Sequence, residues 1–525
     1  MSNRTVVIGG WSGIGLALLA AGCFSPEGGV DGATDTDVGS SSGTLGTTSA
    51  GSTAEAGTTG DTTDSPTTVA DSSTGPAVSG EVRAVHAALG AGAVDIYLAG
   101  EATPAFAGLE FTDASDWLDV PTGTWTFEFR PAGAPSDSEP VYLSEPVTVT
   151  DDTRATAIAS GELGSEDEAA AFRLVLLEED WGAALAGRAR GRVVHVGPDA
   201  PTLGFEGIEL EETVARFGSS DPEGFGIEAD GVTRLELLDS ESRDAELTSF
   251  SVQPIAEGDE VLLVATGRLG SLARGPDGFV VIAVGRDGSL GVVRQDPELF
   301  VLHGSNDAGA LEACFGEFEL AANLAYGDLQ STRVWPGDYD IGIYDYPSGC
   351  NGTALNTSGS GPLEAGGRYL VLLTGEVTPD AGEAGLQVET LEDTFTVDDE
   401  PDARLKFVHG ASFSQIYVGS VVDDQIVDIN VYTDAISWTD ESDEVTLMPA
   451  QYEFGIADAF GKPAPPYVPL ATASLTIGAG ARQWVIVAGD PLPEAGDGGP
   501  LALVVDTTAA QWTVASQPLV PLSPP

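Results

Sequence analysis

The chain is expected to be an all-β protein built from four tandem immunoglobulin-like β-sandwich modules that follow a disordered acidic linker. Three observations carry that expectation. All four histidines, His86, His195, His303 and His409, close the same short phrase, which reads EVRAVH, RGRVVH, ELFVLH and RLKFVH. Their spacings of 109, 108 and 106 residues mark a repeat of about 107, a length able to bury its own core. The composition is rich in glycine (67) and proline (32), with many Thr and Val. Such a composition suits short strands joined by tight turns. No long stretch of helical period follows the N-terminal segment.

Each module carries three landmarks in order. The first is the strand that ends at histidine. The second is a strand-turn-strand: DWLDVPTGTWTFEFRPAG in the first module, TRVWPGDYDIGIYDYPSG in the third and DEVTLMPAQYEFGIADAFG in the fourth. Trp125, Phe127 and Phe129 alternate there, as do Tyr339, Ile341 and Ile343. Alternation places one face inward and one outward, the pattern of a half-buried strand. The third landmark is an apolar strand ending in glycine: TRATAIASGELG, EVLLVATGRLG, RYLVLLTGEV and RQWVIVAGDP. A further strand follows each. Six to eight short strands per module with no room for helices imply a sandwich. The middle of the second module is eroded, with IEADGVTRLELLD where the others have their Pro-Gly turn; drift and specialisation both account for that.

Boundaries follow from the repeat: 1–22 a signal peptide, 23–80 a tether, 81–187, 188–296, 297–397 and 398–514 the four modules, and 515–525 a Pro-rich tail. The first 23 residues have Arg4, an apolar run from Thr5 to Ala21, and small residues before Cys23. This is a secretory signal in form and too short for a stable membrane span. Leu19-Ala20-Ala21-Gly22-Cys23 resembles the bacterial lipobox, with Ala20 where that family prefers Leu. The resemblance implies that Cys23 becomes a lipid-bearing N-terminus. Phe24 after it resembles the class sorted to the outer membrane. The expected address is therefore the cell envelope, anchored in the outer membrane and facing the periplasm or the cell surface. VVIGGWSGIGLAL also looks like the cofactor turn of short-chain dehydrogenases. Neither Lys406 nor Lys462 has the Tyr four residues earlier that those enzymes need.

Residues 24–80 hold eight acidic residues, no basic one and almost no large apolar side chain. Such a segment cannot offset its chain entropy and is expected to be disordered. Of three cysteines, Cys23 is assigned to lipid. Cys314 and Cys350 remain within one exported module, where a disulfide is the expected fate.

Arg192-Val193-Val194-His195 with the following VGPDAP resembles the opening of the bacterial domain of unknown function 4397. Val94-Asp95-Ile96-Tyr97 and VPTGTWTFEFRPAG carry the resemblance in the first module. Val427-Asp428-Ile429-Asn430-Val431-Tyr432 carries it in the fourth, and the third module is the least similar. The resemblance implies extracellular tandem β-sandwiches and brings no catalytic residue with it.

With 82 acidic and 21 basic side chains the net charge is −61. Nucleic-acid affinity comes from Lys and Arg neutralising phosphates, so no nucleic-acid partner is expected. The expected partners are the membrane, through the N-terminal lipid, and an extracellular protein or glycan. No catalytic residue is expected. A nucleophile would need a base and an oxyanion hole, and no Gly-x-Ser-x-Gly elbow is present. One histidine per module falls short of a metal set, so the four histidines read as structural landmarks. No cofactor is expected. Calcium is the one ion the acidic loops could take, with Asp398, Asp399, Glu400, Asp440 and Asp443 as ligand candidates beside Asp434, Glu441 and Glu444; solvation of the loops is the competing reading. Arg188, Arg190 and Arg192 are expected to pair with acids across the junction of the first two modules. Trp117, Trp335 and Trp438 are the candidate exposed platforms of a binding module. The reading is thus a non-enzymatic envelope lipoprotein with a binding, adhesion or spacer role. An exported hydrolase using two facing carboxylates in one pocket is the alternative.

Overall fold

The computed structural model describes residues 78–241, 246–379, 385–398, 400–411, 415–427, 435–459, 469–489 and 499–521. The signal peptide, Cys23 and nearly all of the tether lie outside them, as do Asp399, Asp434, Lys462 and the fourth module's residues 428–432. The described residues form strands and turns with no helix. Residues 74–525 form one compact unit.

The first sheet follows one plan in each of the four modules. Its centre is the histidine strand: Ser79–His86, Arg188–His195, Glu298–His303 and Ala403–Gly410. In every module this strand runs parallel to the glycine-terminated one: Arg154–Ser160, Glu260–Thr266, Arg368–Thr374 and Arg482–Ala488. The next strand of the module then pairs antiparallel with the glycine-terminated one: Arg173–Glu178, Val280–Gly285, Gln387–Glu392 and Leu501–Asp506. Parallel neighbours need a long crossover connection, and here the second sheet of each module is that crossover. The second sheets centre on Val94–Leu98 with Phe127–Pro131, Leu203–Glu206 with Thr233–Asp239, Leu311–Phe315 with Gly337–Asp345, and Gln415–Val422 with Ala450–Asp458.

The histidine strand is buried on both faces. Val82, Ala84 and His86 alternate inward, toward the second sheet of their own module, where Val82 and Ala84 join Ile96, Phe127 and Phe129. Arg83 and Val85 point the other way, into the neighbouring module. Two inter-module seams result. Val85, Ile158 and Leu177 of the first module pack on Val194, Leu262, Val264 and Ile282 of the second. Phe300, Leu370 and Leu372 of the third pack on Trp484, Ile486 and Leu503 of the fourth. The modules therefore associate back to back in two pairs, through the same sheet of each partner. The glycine-terminated strands beside the histidine strands are buried on both faces as well, which is why they read as unbroken apolar runs (VLLVAT, YLVLLT, WVIVA) instead of alternating.

The terminal glycines are required by the chain path. Gly161, Gly267, Gly375 and Gly489 all have positive φ, between 76° and 90°. A Cβ on Gly267 would lie 2.2 Å from the carbonyl oxygen of Gly278, so no other residue fits that turn.

The end of the chain differs from the expected Pro-rich tail. Thr513–Pro518 pairs with Leu501–Asp506, and Val520–Pro521 pairs with Ala471 and Thr472. Leu519 between them is buried in the fourth core. Both strands lie at sheet edges, where proline is tolerated because no outward donor is needed.

Candidate functional site

The four histidine side chains are fully buried, at 0% exposure. The Nε2 of His86 lies 2.8 Å from the carbonyl of Gly92, that of His195 3.0 Å from Pro201, and that of His303 2.9 Å from Gly309. Each partner is six residues onward. A carbonyl only accepts, so Nε2 carries the proton. Nδ1 then accepts, from the N–H of Ala88 onto His86 and of Ser305 onto His303. The ring thus ties the loop after the strand to the strand end. Burial pushes the His86 and His303 imidazoles below the usual histidine range and His195 down to about 4, against the opposing pull of the carbonyl bonds. The strand end is held from the other side as well. The N–H groups of Thr112, Phe217, Gly327 and Thr439 donate to the carbonyls of the four histidines in turn. All four donors have positive φ, so this is one repeated bulge. Asp440, a calcium candidate, supplies its main-chain carbonyl to the N–H of His409 at that bulge.

Three residues before each histidine stands a side chain that faces the partner module: Arg83, Arg192, Phe300 and Lys406. All four are buried. Arg83 forms an ion pair with Glu179, whose side chain is 2% exposed, and donates to Thr156 and to the carbonyl of Gly285 in the second module. Arg192 donates to the carbonyl of Glu178 in the first module and lies over Trp181. Phe300 stacks on Trp512 of the fourth module at 3.9 Å. Lys406 bonds Glu441 and Thr394. Arg368 of the third module reaches Asp393 and the carbonyls of Thr507, Ala509 and Ala510 in the fourth. Burial depresses the Arg83, Arg192 and Arg368 guanidinium groups, and their carboxylate neighbours oppose it. Of the three arginines expected to pair with acids across the first junction, Arg190 and Arg192 cross it, and both to carbonyls, those of Ala183 and Glu178. Arg188 pairs with Glu209 in its own module, and Arg190 bonds the carbonyls of Ala183, Glu223 and Gly224. The strand's two-residue period puts all three on the outer face, and only the one nearest the histidine lies deep in the seam.

The acidic loops are engaged by cations of the chain. Asp398 pairs with Arg404, Glu444 lies 3.9 Å from the same guanidinium, and Glu441 holds both Lys406 and the indole N–H of Trp484. Asp398, Glu400 and Asp443 are exposed. Among the described residues no group of three His, Cys, Asp or Glu side chains could hold a metal. Cys314 and Cys350 form a disulfide, 36 residues apart.

A cavity of about 160 Å³ opens where the second, third and fourth modules meet, lined by Asp296, Glu298, Arg333 and Arg368 among others. Burial raises the Glu298 carboxyl, against the opposing pull of Arg333, 3.1 Å away. Asp296 is bonded by Arg234 and Ser251. Each carboxylate is thus tied to an arginine.

The three candidate tryptophans separate. Trp117 lies half-buried between the guanidinium groups of Arg83 and Arg154, at 4.5 and 4.4 Å, and donates to the Arg286 carbonyl of the second module. It is a wedge in the seam. Trp438 is half-buried beside the bulge of the fourth module. Trp335 is 53% exposed. The Tyr339 hydroxyl donates to its carbonyl at 2.6 Å, and Tyr339 packs on Phe315, which stacks on the exposed Phe318. The module 3 hairpin end therefore carries the packed rings of Phe315, Phe318 and Tyr339, with Phe318 open to solvent, and Tyr339 ties down the main chain of the exposed Trp335. The latch recurs: Trp125 donates to the Pro121 carbonyl and Tyr452 to that of Met448, each four residues back. In the second module Thr233 stands at that place.

Residues 80–206 match the family model described as "Domain of unknown function (DUF4397)", which spans the first module and the opening two strands of the second. No curated protein matches the chain. Among solved structures, the chain is similar to the product complex of a multi-modular glycogen-degrading pneumococcal virulence factor, SpuA. The likeness has 11% identity over 54% of this chain and a TM-score of 0.13, and it covers 37% of that chain; at that score it carries no argument about function.

Proposed function

We propose that the chain is a cell-envelope lipoprotein, anchored through Cys23, that displays four fused β-sandwiches as a non-enzymatic binding scaffold. Its ligand site is the aromatic cluster of the third module. The observation that carries this reading is Trp335, an exposed indole on a hairpin clamped by Tyr339 and a sheet held by the Cys314–Cys350 disulfide. Aromatic faces take the C–H faces of sugar rings, and the exposed Glu317 and Asp338 nearby offer acceptors to hydroxyls. A net charge of −61 repels polyanions, so the ligand class is a neutral glycan. The lipobox-like segment and the acidic tether support the address: they hold the folded unit off the membrane.

The test is a titration of the full chain with cellohexaose, maltohexaose and chitohexaose, followed by tryptophan emission and by chromatography of the sugars. Binding of at least one sugar, lost in Trp335→Ala, with the sugar recovered intact, is expected. Binding unaffected by Trp335→Ala overturns the site, and shortened sugars overturn the non-enzymatic reading. Release of a Cys23→Ser chain from the membrane fraction tests the anchor.

A further inference from the structure

The second module differs from its three siblings in a way that leaves a strand-sized gap. In the first module Phe106–Leu109 covers the outer edge of Val94–Leu98; in the third Phe318–Leu324 covers Leu311–Phe315. In the fourth, Gln425–Val427 and Ile436–Ser437 cover Gln415–Val422. In the second, Leu203–Glu206 is flanked by Thr233–Asp239 on one side only. On the other side there is a single bridge, in which Leu203 and Val214 exchange both main-chain bonds. Main-chain polar groups along a strand alternate sides with a period of two. The N–H and C=O of Phe205 therefore point outward with those of Leu203, and no ladder partner meets them among the described residues.

We propose that this edge accepts an extended, basic peptide from a partner protein as an added strand. Beside the edge lies a groove of about 710 Å³ with Phe205, Ile208, Leu210 and Leu238 in its lining. Across Ile208 a second hollow of about 440 Å³ reaches Val232 and Thr233, the place where the other modules carry their aromatic latch. Glu206 and Glu211 stand exposed on the rim, and neither forms an ion pair among the described residues. Main-chain bonds supply affinity in strand addition, and alternate side chains supply specificity. Apolar side chains fit the groove and lysine or arginine fits the rim. The same acids repel a second copy of this edge, which disfavours self-pairing.

The probe is a fluorescent octapeptide of alternating lysine and valine, titrated into the full chain at physiological salt. A second peptide is methylated on alternate amide nitrogens, which removes strand donors and keeps every charge. The expected result is binding by the first peptide, at least tenfold weaker binding by the second, and slowed amide exchange at Phe205. Ile208→Lys is expected to weaken the first peptide by a similar factor. Equal affinity of the two peptides would show mere attraction to an acidic surface and overturn the proposal. No binding at millimolar peptide, or binding without protection of Phe205, overturns it as well.

Discussion

The Thr266 hydroxyl donates to the Ala87 carbonyl at 2.7 Å, across the seam between the first and second modules. Ala87 directly follows His86. The third and fourth modules repeat the relation, with the Thr374 hydroxyl donating to the carbonyl of Gly410, which follows His409. The end of the glycine-terminated strand in one module thus anchors the histidine turn of its partner. Thr266 and Ala87 are both buried, so loss of the donor leaves a buried acceptor unpaired. Thr266→Val, which keeps the shape, is expected to cost about 1–3 kcal/mol, read by denaturant unfolding. The same substitution at an exposed strand position, Thr124→Val, is expected to stay within about 0.5 kcal/mol.

Glu179 is the only acid bonded to Arg83 among the described residues, and both are buried. Glu179→Ala leaves an arginine charge in the seam without its counter-ion. The expected loss is about 3–5 kcal/mol. Replacing both residues with apolar ones of similar volume is expected to restore most of it. Thermal unfolding of the two variants separates the cost of an orphaned charge from the worth of the pair.

Acid destabilises the fold through the histidines. Burial lowers the folded pKa of His86, His195 and His303. The unfolded chain therefore binds more protons than the folded one as pH falls below about 6.5, and stability falls with it. For His195, lowered to about 4, the loss between pH 7 and pH 5 is about 2 kcal/mol. His195→Gln is expected to flatten that slope. Protonation of carboxylates begins to relieve the −61 charge below about pH 5, so the comparison belongs above that pH.

Reduction loosens the third module. The Cys314–Cys350 bond closes a loop with a separation of 36 residues, which contributes about 3–4 kcal/mol in the chain-entropy model. Dithiothreitol is expected to lower the melting temperature, and Cys314→Ala to make the protein insensitive to it.

Calcium and sodium chloride at matched ionic strength are expected to raise the melting temperature equally, by screening the acidic surface. Asp398, Glu441 and Glu444 already face Arg404 or Lys406. A rise with calcium alone, abolished by EDTA, would place the ion in these loops.

Much of the fold was legible because it is written locally. The histidine phrase, the alternating Trp125-Phe127-Phe129 pattern and the glycine that ends each apolar strand all mark one backbone path. That Gly267 must have positive φ is a property of its own turn. The pairing of modules was not read from the sequence, although the unbroken runs VLLVAT and YLVLLT lack the alternation of a half-buried strand. Nor was the series Arg83, Arg192, Phe300 and Lys406, three residues before each histidine. Neither signal stands out until the neighbour on the second face is known. The three tryptophans looked alike in sequence because exposure is set by what packs against a residue. Trp117 is covered by two arginines and the next module, and Trp335 is not.

The repeat, the strand chemistry, the charge and the place of the cysteines are all written in the order of residues. Each of these follows from residue type and spacing along the chain. Packing in three dimensions fixed which faces meet, that the modules pair back to back, and that Phe205 of module 2 has no ladder partner among the described residues. Those are relations between residues tens to hundreds of positions apart. They are fixed by which apolar faces and buried charges can be satisfied together, and no local pattern records that choice.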